Sequence, residues 1–226
     1  MENENKLLGI SGKRGSGKDT FAQLVHFCDL KFNYPGYWGE KSFDFFLNGD
    51  HTWKSSWETH YFAKKLKEIS ASLTGFEDQY SQKGKTTFLP EWGMTIGEIQ
   101  QKLGTDAVRN GLHDQAWILA CFAGINPNSN TQITDMRFPN EMVAIKNRGG
   151  ITIRIEGDPM KQQGDGSRDD NHPSETSLDS EQFDIKIYNN GTIEQLEKVV
   201  MKVLTVIKHT PYLFPLTFYA NGTRIN

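Results

Sequence analysis

The stretch from residue 7 to residue 25 constrains this chain more than any other. Leu7, Leu8, Gly9 and Ile10 form a short apolar run of strand type. Gly12, Lys13, Arg14, Gly15, Ser16, Gly17, Lys18, Asp19 and Thr20 follow, and Phe21, Ala22, Leu24 and Val25 then supply the apolar face of a helix. A glycine-rich turn between a buried strand and a helix lets successive backbone N–H groups converge on an anion. Glycine permits the curl because it reaches positive φ without steric cost. The first helical turn adds unpaired N–H groups and the positive end of the helix dipole. The stretch therefore reads as a loop that cradles nucleotide phosphates, with Lys18 reaching the β- and γ-phosphates.

The pattern departs from the usual one at a single place. Gly12, four intervening residues, Gly17 and Lys18 keep the spacing, but the next position, ordinarily Ser or Thr, is Asp19. Asp19 could approach Mg²⁺ directly or through water, or touch an incoming substrate, and Thr20 could be the hydroxyl ligand instead. The plainer alternative is a glycine-rich turn whose Asp19 favours the helix start and needs no ligand.

Composition narrows the remaining classes. The chain has 226 residues, enough for one α/β domain with insertions or a domain with a small lid. A net charge of -3 gives no support for a general nucleic-acid binder. Cys28 and Cys121 are the only cysteines and lack the spacing of a metal site, so they read as packed thiols. Met1 to Lys6 is polar with two glutamates, unlike a signal peptide, and no apolar stretch is long enough to span a membrane. The expectation is a soluble, cytoplasmic protein.

Along the chain, residues 7–10 predict the first strand and 18–28 the first helix. Residues 31–58 are an aromatic insertion without a steady period, holding Tyr34, Tyr37, Trp38, Phe43, Phe45, Phe46, Trp53 and Trp57. Three readings stand equally: a pocket wall, a partner surface or a satellite core. Thr59 to Ala63 predicts the second strand, and Lys64 to Leu73 a helix. Residues 77–93 read as a polar loop. Thr95 with Glu98 makes a capping box for the next helix, which Gly104 is expected to break. Residues 132–134 form a strand that delivers Asp135. A helix from about Asn140 to Gly149 and a strand at 151–155 complete a strand–helix–strand unit. Thr192 with Gln195 opens the last central helix. The tail, 209–226, is a packed arm, a hairpin or an interface with a second copy.

These elements describe an α/β, three-layer P-loop NTPase fold with a parallel central sheet. In such a sheet the first strand and the strand before Asp135 open onto one crevice. Asp135 could there organise Mg²⁺ or its waters, and Arg137 could compensate phosphate charge. Taken without the glycine loop, Asp135 is a turn residue and Arg137 a surface ion pair.

The ordered set of motifs resembles the bacteriophage-type deoxynucleoside monophosphate kinases over residues 7–203. The motifs are Gly12 to Thr20 with its unusual Asp19; Phe62 to Glu68; Gln101 to Asp106 with Arg109; and Thr134 to Glu141. Gly149-Gly150, His172 to Glu175 and Asn190 to Leu196 complete it. The resemblance implies an adenylate-kinase-like fold and transfer of the γ-phosphoryl of ATP to a deoxynucleoside monophosphate for DNA precursor synthesis. It would act in the host cytoplasm if phage-encoded. It further implies that Gly12, Arg14, Gly15, Ser16, Gly17, Lys18, Asp19 and Thr20 hold ATP, with Asn190 and Gly191 beside the adenine. Asp19, Thr20 and Asp135 would serve Mg²⁺. Lys18, Asp19, Arg109, Asp135, Arg137 and Arg168 would form the catalytic set. Arg109 is the candidate clamp for the acceptor phosphate, because a guanidinium makes paired bonds to it. Lys65 and Lys67 are weaker candidates. Residues 157–175 would be a lid-like loop over the donor, carrying Arg168, His172 and Glu175. Two other readings remain: a P-loop kinase of another small metabolite, and a non-catalytic ATP-binding switch protein.

Overall fold

The computed structural model describes residues 5–49, 52–159, 176–209 and 214–220. In chain order the elements begin with β1 (Leu7–Gly12), α1 (Lys18–Asn33), α2 (Pro35–Trp38), α3 (Phe43–Asn48) and β2 (Trp57–His60). Next come α4 (Lys64–Thr74), α5 (Gln82–Thr86), β3 (Phe88–Leu89), β4 (Met94–Thr95), α6 (Ile96–Gln101), a π-helical segment (Lys102–Asn110) and α7 (Ala116–Ala123). The last are β5 (Asn130–Ile133), α8 (Pro139–Lys146), β6 (Ile151–Glu156), β7 (Ile185–Tyr188), α9 (Ile193–His209) and β8 (Leu216–Tyr219). The chain forms two compact units, residues 1–59 with 126–226, and residues 60–125.

The first unit is built on a six-stranded sheet of order β2-β5-β1-β6-β7-β8. β5, β1, β6, β7 and β8 run parallel. Strand alternation explains the layers. Leu8 and Ile10 of β1 join one apolar core with Phe21, Leu24 and Phe27 of α1 and Val200 and Val203 of α9. Gly9 between them faces the opposite way, where a Cβ would lie 3.1 Å from the Met136 sulfur and against Ile145 of α8. Helices thus cover both faces of a mostly parallel sheet, the three-layer P-loop kinase architecture expected from the sequence. β6, read from the alternation of Ile151, Ile153 and Ile155, lies beside β1, and the capping pair Thr192–Gln195 closes at 3.3 Å and 2.8 Å.

The aromatic insertion is in large part core. Phe27 of α1 meets Trp38 at 6.2 Å, Phe43 at 5.6 Å and Phe46 at 5.6 Å between ring centroids. Aromatic packing of this kind has no sequence period, so α2 and α3 carry no amphipathic signature of their own. The insertion is tied down by the buried Asp29, which accepts from Ser55 Oγ (2.9 Å), Ser56 N (2.7 Å), Ser56 Oγ (3.0 Å) and Asn33 Nδ2 (3.0 Å). Tyr34, Tyr37 and Trp53 remain exposed, with Tyr37 stacked on Trp53 and Tyr34 tilted against it. β2 begins and ends earlier than the expected 59–63. From the tail, β8 adds the sixth strand.

In the second unit α4 packs against α6, α7 and the π-helical segment. The capping box of Thr95 and Glu98 is present as expected. Residues 77–93, expected to be a loop, contain α5 and one strand of the β3–β4 hairpin. Gly104 does not break the helix. The chain passes into the wider π register, and the carbonyl of Gly104 accepts the indole N–H of buried Trp117 at 3.0 Å.

Candidate functional site

The glycine loop leaves β1 at Gly12 and enters α1 at Lys18. Gly15 and Gly17 hold φ of 78° and 86°, the left-handed region in which a side chain is strained. Ser16 N–H closes the turn on Lys13 O at 3.2 Å, and Phe21 N–H begins the α1 ladder on Gly17 O at 2.8 Å. Gly12 is held close by its surroundings, since a Cβ there would lie 2.8 Å from Ile155 O. The loop therefore has the shape its composition predicts, with the N-terminus of a sixteen-residue helix directly behind it.

The side chains around the loop are organised by charge. Lys18 Nζ is chelated by its neighbour Asp19, 3.0 Å from Oδ2 and 3.2 Å from Oδ1. The Asp19 side chain is 77% exposed, so this pair is weak and the ammonium can be surrendered to a better anion. Lys13 pairs with Asp179 at 2.8 Å. The other oxygen of Asp179 accepts from Arg154 Nη2 at 2.5 Å, and Arg154 Nη1 donates to Ser11 Oγ at 3.0 Å. Arg154 is 5% exposed, and its charge is balanced through that carboxylate. Asp179 thus links β6 to the loop, and Arg154 carries the link on to Ser11 of β1.

Asp135 follows β5 directly after Thr134. Met136 N–H donates to Ile10 O at 3.3 Å, which keeps this segment against β1 beyond the strand end. Glu141, buried in the first turn of α8, accepts from the Arg137 N–H at 2.7 Å and the Phe138 N–H at 3.1 Å, fixing the backbone that carries Asp135 and Arg137. Asn190 accepts the Asp158 N–H at 3.3 Å. Its neighbour Asn189 reaches the loop itself, donating from Nδ2 to Ser16 O at 2.9 Å.

The loop, Asp135, Arg137, Asn190 and Gly191 all belong to the first unit. Arg109 sits in the last turn of the π-helical segment of the second, and Lys65 pairs with Glu68 at 2.7 Å on α4. Trp38, Trp57 and Trp117 are buried in packing, whereas Trp53 and Trp92 are exposed. Arg168, His172, Glu175 and most of the 157–175 segment lie outside the described residues. Sequence reasoning passed over Arg154, Asp179 and Asn189, and read Lys13 only as part of the loop. The signal for Arg154 was a lone charge inside the apolar alternation of β6, at a position where an arginine must find partners.

The donors present suit a hard cation bound beside phosphate. Asp19, Thr20 and Asp135 offer only oxygen, and a Mg²⁺ that rides on phosphates needs one or two protein oxygens rather than a closed cage. The Ser16 hydroxyl is buried in the loop and has no hydrogen-bond partner among the described residues. No group of three or more potential metal-ligating side chains gathers among the described residues.

Two comparisons bear on the chain. The family model for deoxynucleotide monophosphate kinase matches residues 54–200. A protein of Acanthamoeba polyphaga mimivirus, whose name of deoxynucleotide monophosphate kinase is provisional, is 31% identical over 208 residues, covering 84% of this chain and 91% of its own length. The family match begins beyond the glycine loop. The loop geometry and the family match are therefore separate lines of evidence.

Proposed function

Because the chain belongs to the deoxynucleotide monophosphate kinase family, we propose that it transfers the γ-phosphoryl group of ATP to a deoxynucleoside monophosphate, for DNA precursor synthesis. The observation that carries the donor half is the loop from Gly12 to Thr20, with two left-handed glycines and Lys18 at the helix start. An oxygen of the acceptor phosphate attacks Pγ in line as the bond from Pγ to the ADP oxygen breaks. The products are ADP and a deoxynucleoside diphosphate. No protein nucleophile is needed. The acceptor phosphate, with a second pKa of about 6, is already largely ionised at neutral pH, so no strong general base is required.

The work of the protein is positioning and charge compensation. The backbone of residues 12–18 and the side chains of Arg14, Ser16 and Thr20 would hold the donor phosphates. Lys18 would leave Asp19 for the β- and γ-phosphates. That exchange frees the Asp19 carboxylate near the reacting groups, which gives the unusual residue a use. Arg137 and Arg168 would compensate charge on the transferring group, and Arg109 would grip the acceptor phosphate. Asn190 and Gly191 would pass beside the adenine. Asp19, Thr20 and Asp135 would hold Mg²⁺, which when bound neutralises the β- and γ-phosphate oxygens. A lid-like loop at 157–175 would exclude water and suppress ATP hydrolysis.

The test is ADP production from Mg-ATP with each deoxynucleoside monophosphate in turn, with the products identified. Diphosphate formed only when both substrates are present supports the reading. Tight ATP binding without diphosphate from any nucleotide refutes the acceptor assignment and leaves the donor loop.

A further inference from the structure

Asn189 lies just past β7 and is 3% exposed. Its main chain is pinned, since the N–H donates to Glu156 O at the end of β6, at 2.6 Å. Its side chain crosses to the glycine loop and donates to the carbonyl of Ser16 at 2.9 Å. In a planar trans peptide the C=O and the N–H point in opposite directions. Holding the Ser16 carbonyl therefore also sets the direction of the Gly17 N–H, which belongs to the same peptide.

That peptide has little of its own to keep it in place. Glycines flank Ser16 on both sides, and a glycine peptide turns over at small steric cost. Turned over, it would present the Ser16 oxygen to the phosphates in place of an N–H. The two arrangements differ by one attractive and one repulsive contact with an anion. The amide of Asn189 also closes on Gly17 itself, where an added Cβ would collide with Nδ2. The position that must be glycine and the residue that holds it are thus in direct contact.

We propose that Asn189 is a positioning residue for the donor nucleotide, locking the Ser16–Gly17 peptide with its carbonyl turned out of the phosphate cradle and the Gly17 N–H turned into it. The proposal rests on the reading of residues 12–20 as the donor loop. It gives Asn189 no contact with substrate. Its action passes through the backbone of Gly17.

The test uses the full chain with Asn189→Leu, which keeps the approximate volume and removes the donor. Losing or misdirecting one hydrogen bond to a charged group should raise the ADP Kd and the KM for ATP about tenfold. At saturating ATP the acceptor KM should stay within about twofold of the wild type, and the melting temperature should be measured alongside. Unchanged ADP affinity in a folded Asn189→Leu protein overturns the proposal and leaves the donor loop standing. An equal rise in both KM values also overturns it, in favour of a general structural role. Absence of ADP binding by the wild type removes the donor-loop reading itself, and the proposal with it. A further measurement holds even if the variant does not fold. ADP should slow amide exchange at Gly17 of the wild type, and unaltered exchange there refutes the inference.

Discussion

Replacing Gly17 with alanine separates backbone strain from close approach. Gly17 has φ of 86°, and left-handed backbone costs alanine about 1–2 kcal/mol. The new Cβ would also fall against Asn189 Nδ2, and overpacking of this kind adds about 1–3 kcal/mol. Gly149 is the control. It lies in the same unit with φ of 70°, but nothing stands within 4 Å of its added Cβ. Gly149→Ala should therefore show only the backbone cost. For a chain of this size about 2–4 °C is lost per kcal/mol, so Gly17→Ala should melt several degrees below Gly149→Ala.

The steric share can be isolated by repeating Gly17→Ala in an Asn189→Ala background. There the collision is gone and the cost should fall toward that of Gly149→Ala. ADP titration supplies the functional half. Gly17→Ala should weaken ADP binding at least tenfold, whereas Gly149→Ala should bind ADP as the wild type does. Equal melting losses for the two variants, with ADP affinity intact in both, would refute the argument. So would a cost of Gly17→Ala that is indifferent to Asn189.

Three further expectations follow from particular side chains. Lys18→Ala should lower turnover by about 10²–10³-fold without unfolding the protein, because the ammonium pairs only weakly with exposed Asp19; retained turnover sinks the donor assignment. Arg109→Ala should raise the acceptor KM about tenfold or more and leave ADP affinity alone, so unchanged acceptor kinetics refute that role. Burial lowers the pKa of His26 from its ordinary 6.5, with the nearby Asp29 opposing the shift. The unfolded chain then takes up a proton that the folded chain resists, so this contribution is complete above about pH 6.5 and is lost as pH falls toward the folded pKa. His26→Gln should flatten that part of a stability-against-pH curve measured in urea, and an unchanged slope counts against the assignment.

What was legible in the sequence was local. The capping box at Thr95 and Glu98 and the Thr192–Gln195 pair each close within one helical turn, and the glycine loop is a contiguous run. What was not legible depends on distant partners. Phe43 and Phe46 are buried or half-buried because Phe27 of another helix meets them, and no period within 31–58 encodes that. Gly104 carries the composition of a helix breaker, yet the π register and the Trp117 indole satisfy its backbone. β8 lies beyond a long helix, and only the open edge of β7 gives it a place in the sheet.

The same division runs through the candidate site. Lys18, Gly15 and Gly17 are recognised by spacing, because they are neighbours in one contiguous loop. The residues that brace the loop come from far along the chain. Asp179 reaches Lys13, Arg154 reaches Ser11, and Asn189 reaches Ser16. Two of these braces are buried or nearly so, and none belongs to a short motif with the residues it supports. A loop rich in glycine is free to curl around an anion and equally free to curl otherwise. Its observed shape is held in part by side chains outside it, Asn189 just past β7 on Ser16 and Asp179 on Lys13. The motif is contiguous in sequence, and the side chains that hold its shape are not.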